Sequence, residues 1–283
     1  VIEEDGLEDV PVDERLSIPA PMGSLPAGAA FGTLVHEALE QLDWAPDGLP
    51  GRIESLVGEM AVGFDDEQSA SLAAGLEAIV RTPLTPLTSQ SLSHIPLALR
   101  LPELDFDLPM AERSGATLGA LADLLAEHLP DDDPLVAYPA RLQASPASSA
   151  LLQGMLTGSI DAVLQSEEGR FIVVDYKTNR LAPVDEPLTL GHFTRSAMAE
   201  AMMAAHYPLQ AILYSAALHR YLALRLPGYD PERHLGGAGY LFVRGMAGAD
   251  TPVVDGTTCG VFAWFPSAEL VVAVSELLGG IHA

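Results

Sequence analysis

Residues 157–181, TGSIDAVLQSEEGRFIVVDYKTNRL, constrain the fold most, because they indicate two strands joined by a tight turn. Phe171 to Val174 form an uninterrupted apolar run, which is typical of a buried strand. Ser166 and Arg170 can close a three-residue loop, with Gly169 in the left-handed conformation of a bulged turn. The segment therefore predicts a β-hairpin in a defined register.

That register places three charged residues on one face of the hairpin. Asp161 is expected opposite Asp175, with their Cβ atoms about 4.5–5.5 Å apart. Lys177, two residues further on, is expected on the same face. Two opposed carboxylates repel each other unless a cation lies between them, and Mg²⁺ or Mn²⁺ suits such oxygen ligands. A surface hairpin with polar ends is the plainer interpretation, but a buried strand seldom carries an unpaired Asp and Lys.

The charge balance is unusual for a protein that binds nucleic acid. The chain has 39 acidic and 14 basic residues, a net charge of −25, and seven of the acids lie in the first 14 residues. Taken alone, this charge argues against non-specific binding to DNA, RNA or anionic lipid. Lys177 is the single lysine among 13 arginines. Arginine cannot replace a compact ammonium beside a water or a phosphate, so this lysine indicates a chemical role.

Hydrophobic periodicity predicts an α/β fold, with a central mixed sheet flanked by helices. Residues 1–25 are expected to be an acidic, proline-containing linker or tail, and residues 26–283 one domain. Outside the hairpin, helices are predicted at 31–43, 65–81, 117–128, 146–154, 206–226 and 267–278, and strands at 95–108, 238–243 and 260–265. Within 95–108 the apolar alternation changes phase at Pro102-Glu103, which indicates a bulge or bend.

Composition also limits the compartment and the cofactors. Cys259 is the only cysteine, so the chain has neither an intramolecular disulfide nor a four-cysteine iron–sulfur cluster. No membrane span or secretory signal is predicted, and we expect a cytoplasmic, nucleoid-associated bacterial protein. Because the chain begins at Val1, we expect it to be a piece of a larger polypeptide.

The hairpin resembles the active-site hairpin of the PD-(D/E)XK nucleases, and more narrowly their RecB type, found in RecBCD helicase–nucleases. Four other segments resemble that family in the same order. These are FGTLVHEALE (31–40), HYPLQAILYSAALHRYL (206–222), HLGGAGYLFVRG (234–245) and GVFAWFP (260–266). The resemblance covers roughly residues 26–280 and implies a restriction-endonuclease-like fold.

The resemblance also implies roles for individual residues. The metal ligands would be His36, Asp161, Asp175 and the backbone carbonyl of Tyr176. Asp161, Asp175 and Lys177 would be catalytic, and Lys177 would assist the nucleophile or the transition state. Gln210 and Tyr214, four residues apart on one helix, would line the site. Glu103 would lie near it. Relatives with a four-cysteine iron–sulfur cluster are excluded by the single cysteine.

The implied activity is Mg²⁺-dependent hydrolysis of DNA, with Mn²⁺ as a substitute metal. We expect the DNA to be single-stranded and delivered by a helicase, with RecC-like and RecD-like subunits as partners in double-strand-break repair and recombination. Arg170, Arg180 and Arg195 are candidates for contacting DNA. Two alternatives remain open at this point: a catalytically idle docking module, and a stand-alone phage or restriction-type exonuclease.

Overall fold

The computed structural model of the protein describes residues 14–110 and 116–279. The helices are α1 (Ala29–Gln41), α2 (Leu49–Met60), α3 (Asp66–Arg81), α4 (Leu118–His128), α5 (Tyr138–Gln143), α6 (Arg195–Ala204), α7 (Tyr207–Arg225), α8 (Pro231–His234) and α9 (Ala268–Leu277). The strands are β1 (Arg100–Met110), β2 (Gly154–Gln165), β3 (Phe171–Lys177), β4 (Leu235–Phe242), β5 (Val253–Val254), β6 (Thr257–Thr258) and β7 (Val261–Trp264).

Five strands form one mixed sheet in the order β1-β2-β3-β4-β7. Only the β3–β4 pair is parallel, and the other three pairs are antiparallel. A parallel pair needs a crossover connection, and α6 and α7 provide it between β3 and β4. The predicted α/β fold with a central mixed sheet flanked by helices is therefore confirmed.

Each face of the sheet packs against its own helices. On one face, Ile172 and Val174 of β3 pack with apolar residues of α1, α2 and α3. On the other face, Val173 packs with residues of α4, α6, α7 and α9. Side chains alternate along a strand, so Asp175 and Lys177 lie on the same face as Val173. That face is covered by α7, the helix that carries Gln210 and Tyr214.

The hairpin follows the predicted register. Ala162 pairs with Val174 and Gln165 with Phe171. The turn closes with a 2.8 Å hydrogen bond from the Ser166 N–H to the Arg170 carbonyl, and Gly169 has φ 80°. These contacts confirm the three-residue loop and the left-handed glycine.

The irregularity predicted at Pro102-Glu103 is a local bend without an inserted residue, and part of the predicted strand is absent. Glu103 has φ 49° and the pairing of β1 with β2 skips it, but the register is the same at Pro102 and at Leu104. Leu104 packs on the α7 face and Leu99 on the α1 face, as residues an odd number of positions apart do in regular alternation. Residues 95–99 were predicted as strand, which is wrong: residues 97–99 form a 3₁₀ turn after Pro96. Proline lacks the N–H that a strand would need there.

One predicted helix is absent, and a helix that was not predicted lies before it. Residues 146–154 were predicted as a helix, but this stretch is irregular and ends where β2 begins at Gly154. The helix lies earlier, at Tyr138–Gln143, with Pro139 in its first turn, where a proline is tolerated. The other predicted helices are present within a few residues of their expected bounds.

Part of the expected N-terminal linker packs against the rest of the chain. Met22 and Leu25 are buried in the core beside α1 and α3, and Pro19 forms a bridge with Thr189. The Arg244 guanidinium donates to the Met22, Leu25 and Pro26 carbonyls. Residues 1–13 of the expected linker lie outside the described residues. No helix in the described part of the chain is long and apolar enough to cross a membrane.

Candidate active site

The first half of the site joins α1 to the ends of β2 and β3. His36 lies on α1, where its neighbours Val35 and Leu39 are buried in the core that packs on the sheet. Its Nε2–H donates to the Tyr176 carbonyl at 2.8 Å, and its Nδ1 lies 3.3 Å from Asp161 Oδ2. The Tyr176 N–H donates to the same Asp161 oxygen at 2.7 Å. Burial acts to lower the pKa of His36, but the Asp161 and Asp175 carboxylates outweigh it and raise that pKa.

Asp161 reaches these partners because the strand is distorted there. Glu103 of β1, which faces Asp161 of β2, has a positive φ. On the other side, regular pairing of β2 with β3 begins only at Ala162. The Asp161 carboxylate thus takes the place of a backbone acceptor for Tyr176. The predicted proximity of Asp161 and Asp175 has an electrostatic consequence, because the Asp161 charge acts to raise the pKa of Asp175.

The second half of the site is buried beneath α7. The Asp175 side chain is 3% exposed, and its Oδ2 lies 2.6 Å from Lys177 Nζ. That oxygen has this ion pair but no hydrogen bond of good geometry. Burial and then the Asp161 charge raise the pKa of Asp175 to about 6, against the lowering effects of Lys177 and His36. The cost of the ionised carboxylate is therefore only partly offset by the residues around it.

Polar and aromatic groups hold Lys177. Its ammonium donates to Gln210 Oε1 at 3.2 Å, and Gln210 Nε2 donates to the Tyr214 hydroxyl at 2.9 Å. The Tyr240 hydroxyl donates to the same Gln210 oxygen at 3.1 Å. The ammonium also lies 4.0 Å from the centre of the Tyr207 ring. Gln210 and Tyr214 thus reach the site through Lys177, as a connected chain of contacts.

A cleft of about 400 Å³ opens beside His36. It is lined by Gly32, Thr33, His36, Glu37, Glu40, Glu103, Ser159, Asp161 and Tyr176. Glu103 therefore shares this cleft with two of the expected metal ligands. The neighbouring Glu40 carboxylate raises the pKa of Glu103. Carboxylates dominate the cleft, so its electrostatics favour a bound cation.

The three arginines expected to contact DNA do not gather at this cleft. Arg170 lies at the turn end of the hairpin and donates to the Glu232 and Leu235 carbonyls. Arg180 is nearer in sequence to Lys177 but donates to the carbonyls of residues 23, 183 and 186. Arg195 lies at the start of α6, and its charge acts on Asp133. None of the three lines this cleft, and at least two donate to backbone carbonyls, so their contact with DNA stays a prediction.

The donors around His36 fit a divalent cation in their chemistry. The Asp161 carboxylate and the Tyr176 carbonyl both contact His36, whose pKa is raised, so they already stabilise a positive charge at this position. Asp175 supplies a buried carboxylate, whose Oδ2 is paired with the Lys177 ammonium at 2.6 Å. Oxygen donors of this kind are those that Mg²⁺ selects. The set is not assembled as a complete cage, however. Within residues 14–110 and 116–279, no three His, Cys, Asp or Glu side chains are arranged to hold a metal ion. Asp175 is paired with Lys177 instead.

Sequence reasoning missed Tyr207 and Tyr240, which cover Lys177. Their rings stack at a centroid distance of 5.8 Å with an interplanar angle of 24°. A signal for Tyr207 was present, because it lies three residues before Gln210 and thus on the same side of the helix. Tyr240 gave no such signal, since it is one of several apolar positions in a buried strand.

Comparison with known proteins gives consistent matches. The family model of the PD-(D/E)XK nuclease superfamily matches residues 12–258. The chain is 48% identical to RecBCD enzyme subunit RecB of Mycolicibacterium smegmatis, over 97% of this chain and 26% of that protein. It is 44% identical to the protein of the same name in Mycobacterium tuberculosis, over 92% of this chain and 24% of that one. Identity to the Escherichia coli protein of that name is 33%, over 90% of this chain and 20% of that one. The chain thus spans 20–26% of the length of these relatives.

Proposed function

Because this chain belongs to the PD-(D/E)XK nuclease superfamily, we propose that it is a divalent-metal-dependent deoxyribonuclease of the RecBCD type. The observation that carries the proposal is the cluster that Asp161, Asp175 and Lys177 form at one end of the hairpin, with the buried Asp175 carboxylate 2.6 Å from the Lys177 ammonium and the Asp161 carboxylate bound to the Tyr176 N–H. A catalytically idle docking module would have no need of this costly arrangement.

His36, Asp161, Asp175 and the Tyr176 carbonyl would hold Mg²⁺, or Mn²⁺ in its place. Such an ion polarises a phosphoryl oxygen and lowers the pKa of a bound water. Lys177 would place its positive charge beside Asp175, where it can stabilise negative charge that develops on the phosphate. Gln210 would orient the ammonium, with Tyr214 holding the Gln210 amide. Glu103 would contribute negative charge at the rim of the cleft.

The substrate we propose is a DNA strand that has already been unwound. The cleft is rich in carboxylates, and Arg170 and Arg180 are engaged with backbone carbonyls. A chain of net charge −25 is therefore poorly suited to capture DNA by itself. A helicase motor would deliver the strand, with RecC-like and RecD-like subunits as partners, in double-strand-break repair in the bacterial cytoplasm.

The test is cleavage of single-stranded and duplex DNA by the chain, in Mg²⁺ and in EDTA. Asp161→Asn, Asp175→Asn and Lys177→Met are compared with Asp185→Asn, which alters an exposed aspartate. We expect metal-dependent cleavage of single strands that is lost in the first three variants and kept in the control. If the chain alone does not cleave, the same variants are assayed in the complete helicase–nuclease.

Three results would contradict the proposal. Cleavage in EDTA would refute the metal dependence. Full activity of Asp175→Asn would refute the site. An inactive helicase–nuclease that still binds its partners through this chain would favour the docking module.

DNA binding by the chain should also depend only weakly on salt concentration, because few phosphates are neutralised by cationic side chains.

A further inference from the structure

The Lys177 ammonium lies in a pocket that is aromatic as well as polar. Its Nζ is 4.0 Å from the centre of the Tyr207 ring and 5.3 Å from that of Tyr240. On its polar side it contacts Asp175 at 2.6 Å and Gln210 at 3.2 Å. The side chain is 13% exposed. The ammonium is thus held by two polar partners and by the face of a stacked pair of rings.

Tyr207 is itself anchored independently of the lysine. It is the first residue of α7 and follows His206, whose φ of 56° sets the direction in which the helix starts. Its hydroxyl donates to Asn179 Oδ1 at 3.3 Å, and its ring stacks on that of Tyr240. Neither contact involves the lysine, so the position of the ring does not depend on the ammonium.

We propose that Tyr207 is a positioning residue, whose ring face holds the Lys177 ammonium against Asp175 through a cation–π interaction. The role rests on the proposed nuclease function, in which Lys177 acts on the phosphate. A lysine side chain has a flexible four-carbon stem, so two polar contacts alone leave it many competing rotamers. The negative face of an aromatic ring attracts a desolvated ammonium and makes the productive position the preferred one.

The size of the effect follows from the strength of such contacts. Loss of a partly desolvated cation–π contact corresponds to about a tenfold change in an equilibrium or rate. We therefore expect Tyr207→Leu to lower kcat about tenfold with little change in KM for DNA. Tyr207→Phe keeps the ring and loses only the hydroxyl contact with Asn179, so it should retain activity within about threefold.

A fluorination series separates electrostatics from packing. Phenylalanine with zero, one, two and three ring fluorines is introduced at Tyr207, which weakens the negative ring face while hardly altering ring shape. We expect kcat to fall at each step. The same series at Phe193, a buried ring packed against Gly245, should leave kcat unchanged. A flat series at Tyr207 would overturn the proposal, because a packing role would not respond to the ring charge.

The single lysine allows a second test that does not depend on activity. Protein labelled with ¹³C at the lysine ε-carbon gives one signal, which needs no assignment. Ring currents should shift it from the position of a solvated lysine, and Tyr207→Leu should move it back. An unshifted signal in a chain that cleaves DNA would overturn this inference alone. A shifted signal in a helicase–nuclease that never cleaves DNA would overturn the proposed function, and the positioning role with it.

Discussion

Replacing Asp175 by asparagine should stabilise the metal-free chain while removing its activity. Asp175 is 3% exposed, and burial together with the Asp161 charge raises its pKa from 3.8 to about 6. That pKa already includes the favourable Lys177 charge. Asparagine resembles the neutral acid in shape and charge, so the variant removes the cost of holding an ionised carboxylate in this place.

The magnitude follows from the pKa. A shift of about two units, at about 1.4 kcal/mol per unit, corresponds to about 3 kcal/mol by which the folded chain disfavours the ionised form. The free energy of unfolding of Asp175→Asn at pH 7 should therefore exceed that of the parent chain by about 2–3 kcal/mol.

The same reasoning gives the sign of the pH dependence. A carboxyl whose folded-state pKa is raised stays protonated in the folded chain after it has ionised in the unfolded chain. Its contribution to stability is therefore greatest below about pH 4. It declines by about 1.4 kcal/mol per pH unit between about pH 4 and pH 6, and it is lost above that range. Asp175→Asn should remove this decline from the parent curve.

Urea unfolding in EDTA at several pH values measures both quantities. Asp185→Asn, an exposed substitution, serves as the control and should change stability by less than about 0.5 kcal/mol. If Asp175→Asn were destabilising by 1 kcal/mol or more at pH 7, the reasoning would be refuted, since the Lys177 ion pair would then outweigh the burial cost.

Three further predictions concern residues around the site and beneath it. The raised pKa of His36 contributes stability that is complete below pH 6.5 and is lost as pH rises through the folded-state pKa, so His36→Gln should cost more at pH 5.5 than at pH 8.5 in urea unfolding. Arg244→Met leaves several buried carbonyls without their donor and should cost about 3 kcal/mol or more, whereas Arg52→Met, whose carbonyl partners are exposed, should cost less than about 1 kcal/mol. Gly245→Ala would place a Cβ 2.4 Å from a buried phenylalanine ring and should lower the unfolding free energy by about 1–3 kcal/mol, whereas Gly51→Ala in α2 meets no atom within 4 Å and should be neutral or stabilising.

The hairpin could be predicted from sequence because its determinants are local. Three features within 20 residues set the register. They are the apolar run to Val174, the turn glycine Gly169, and the alternation of side chains between the two faces of a strand. His36 was predicted from the resemblance of its surrounding helix rather than from any local rule. The structure places His36 Nδ1 3.3 Å from Asp161 Oδ2, and metal binding by the two residues stays a prediction.

What could not be predicted depends on distant partners. Arg170 and Arg180 are candidates for DNA contacts because they lie near Lys177 in sequence. That they donate to the Leu235 and Gly23 carbonyls could not be predicted, because those partners are far away in the chain. Arg244, which is 1% exposed and ties residues 22–26 to Thr178, gave no local signal at all. The 3₁₀ turn at residues 97–99 has the same apolar alternation as a strand, so periodicity alone could not separate them.

The central claim is that the ends of β2 and β3 hold a divalent cation. The most direct measurement is an anomalous difference map from crystals of the chain grown with Mn²⁺. We predict a peak within about 2.0–2.2 Å of oxygens from Asp161, Asp175 and the Tyr176 carbonyl, a distance typical of small hard cations. Absence of a peak there in crystals that hold Mn²⁺ elsewhere, with Asp175 still bound to Lys177, would contradict the account.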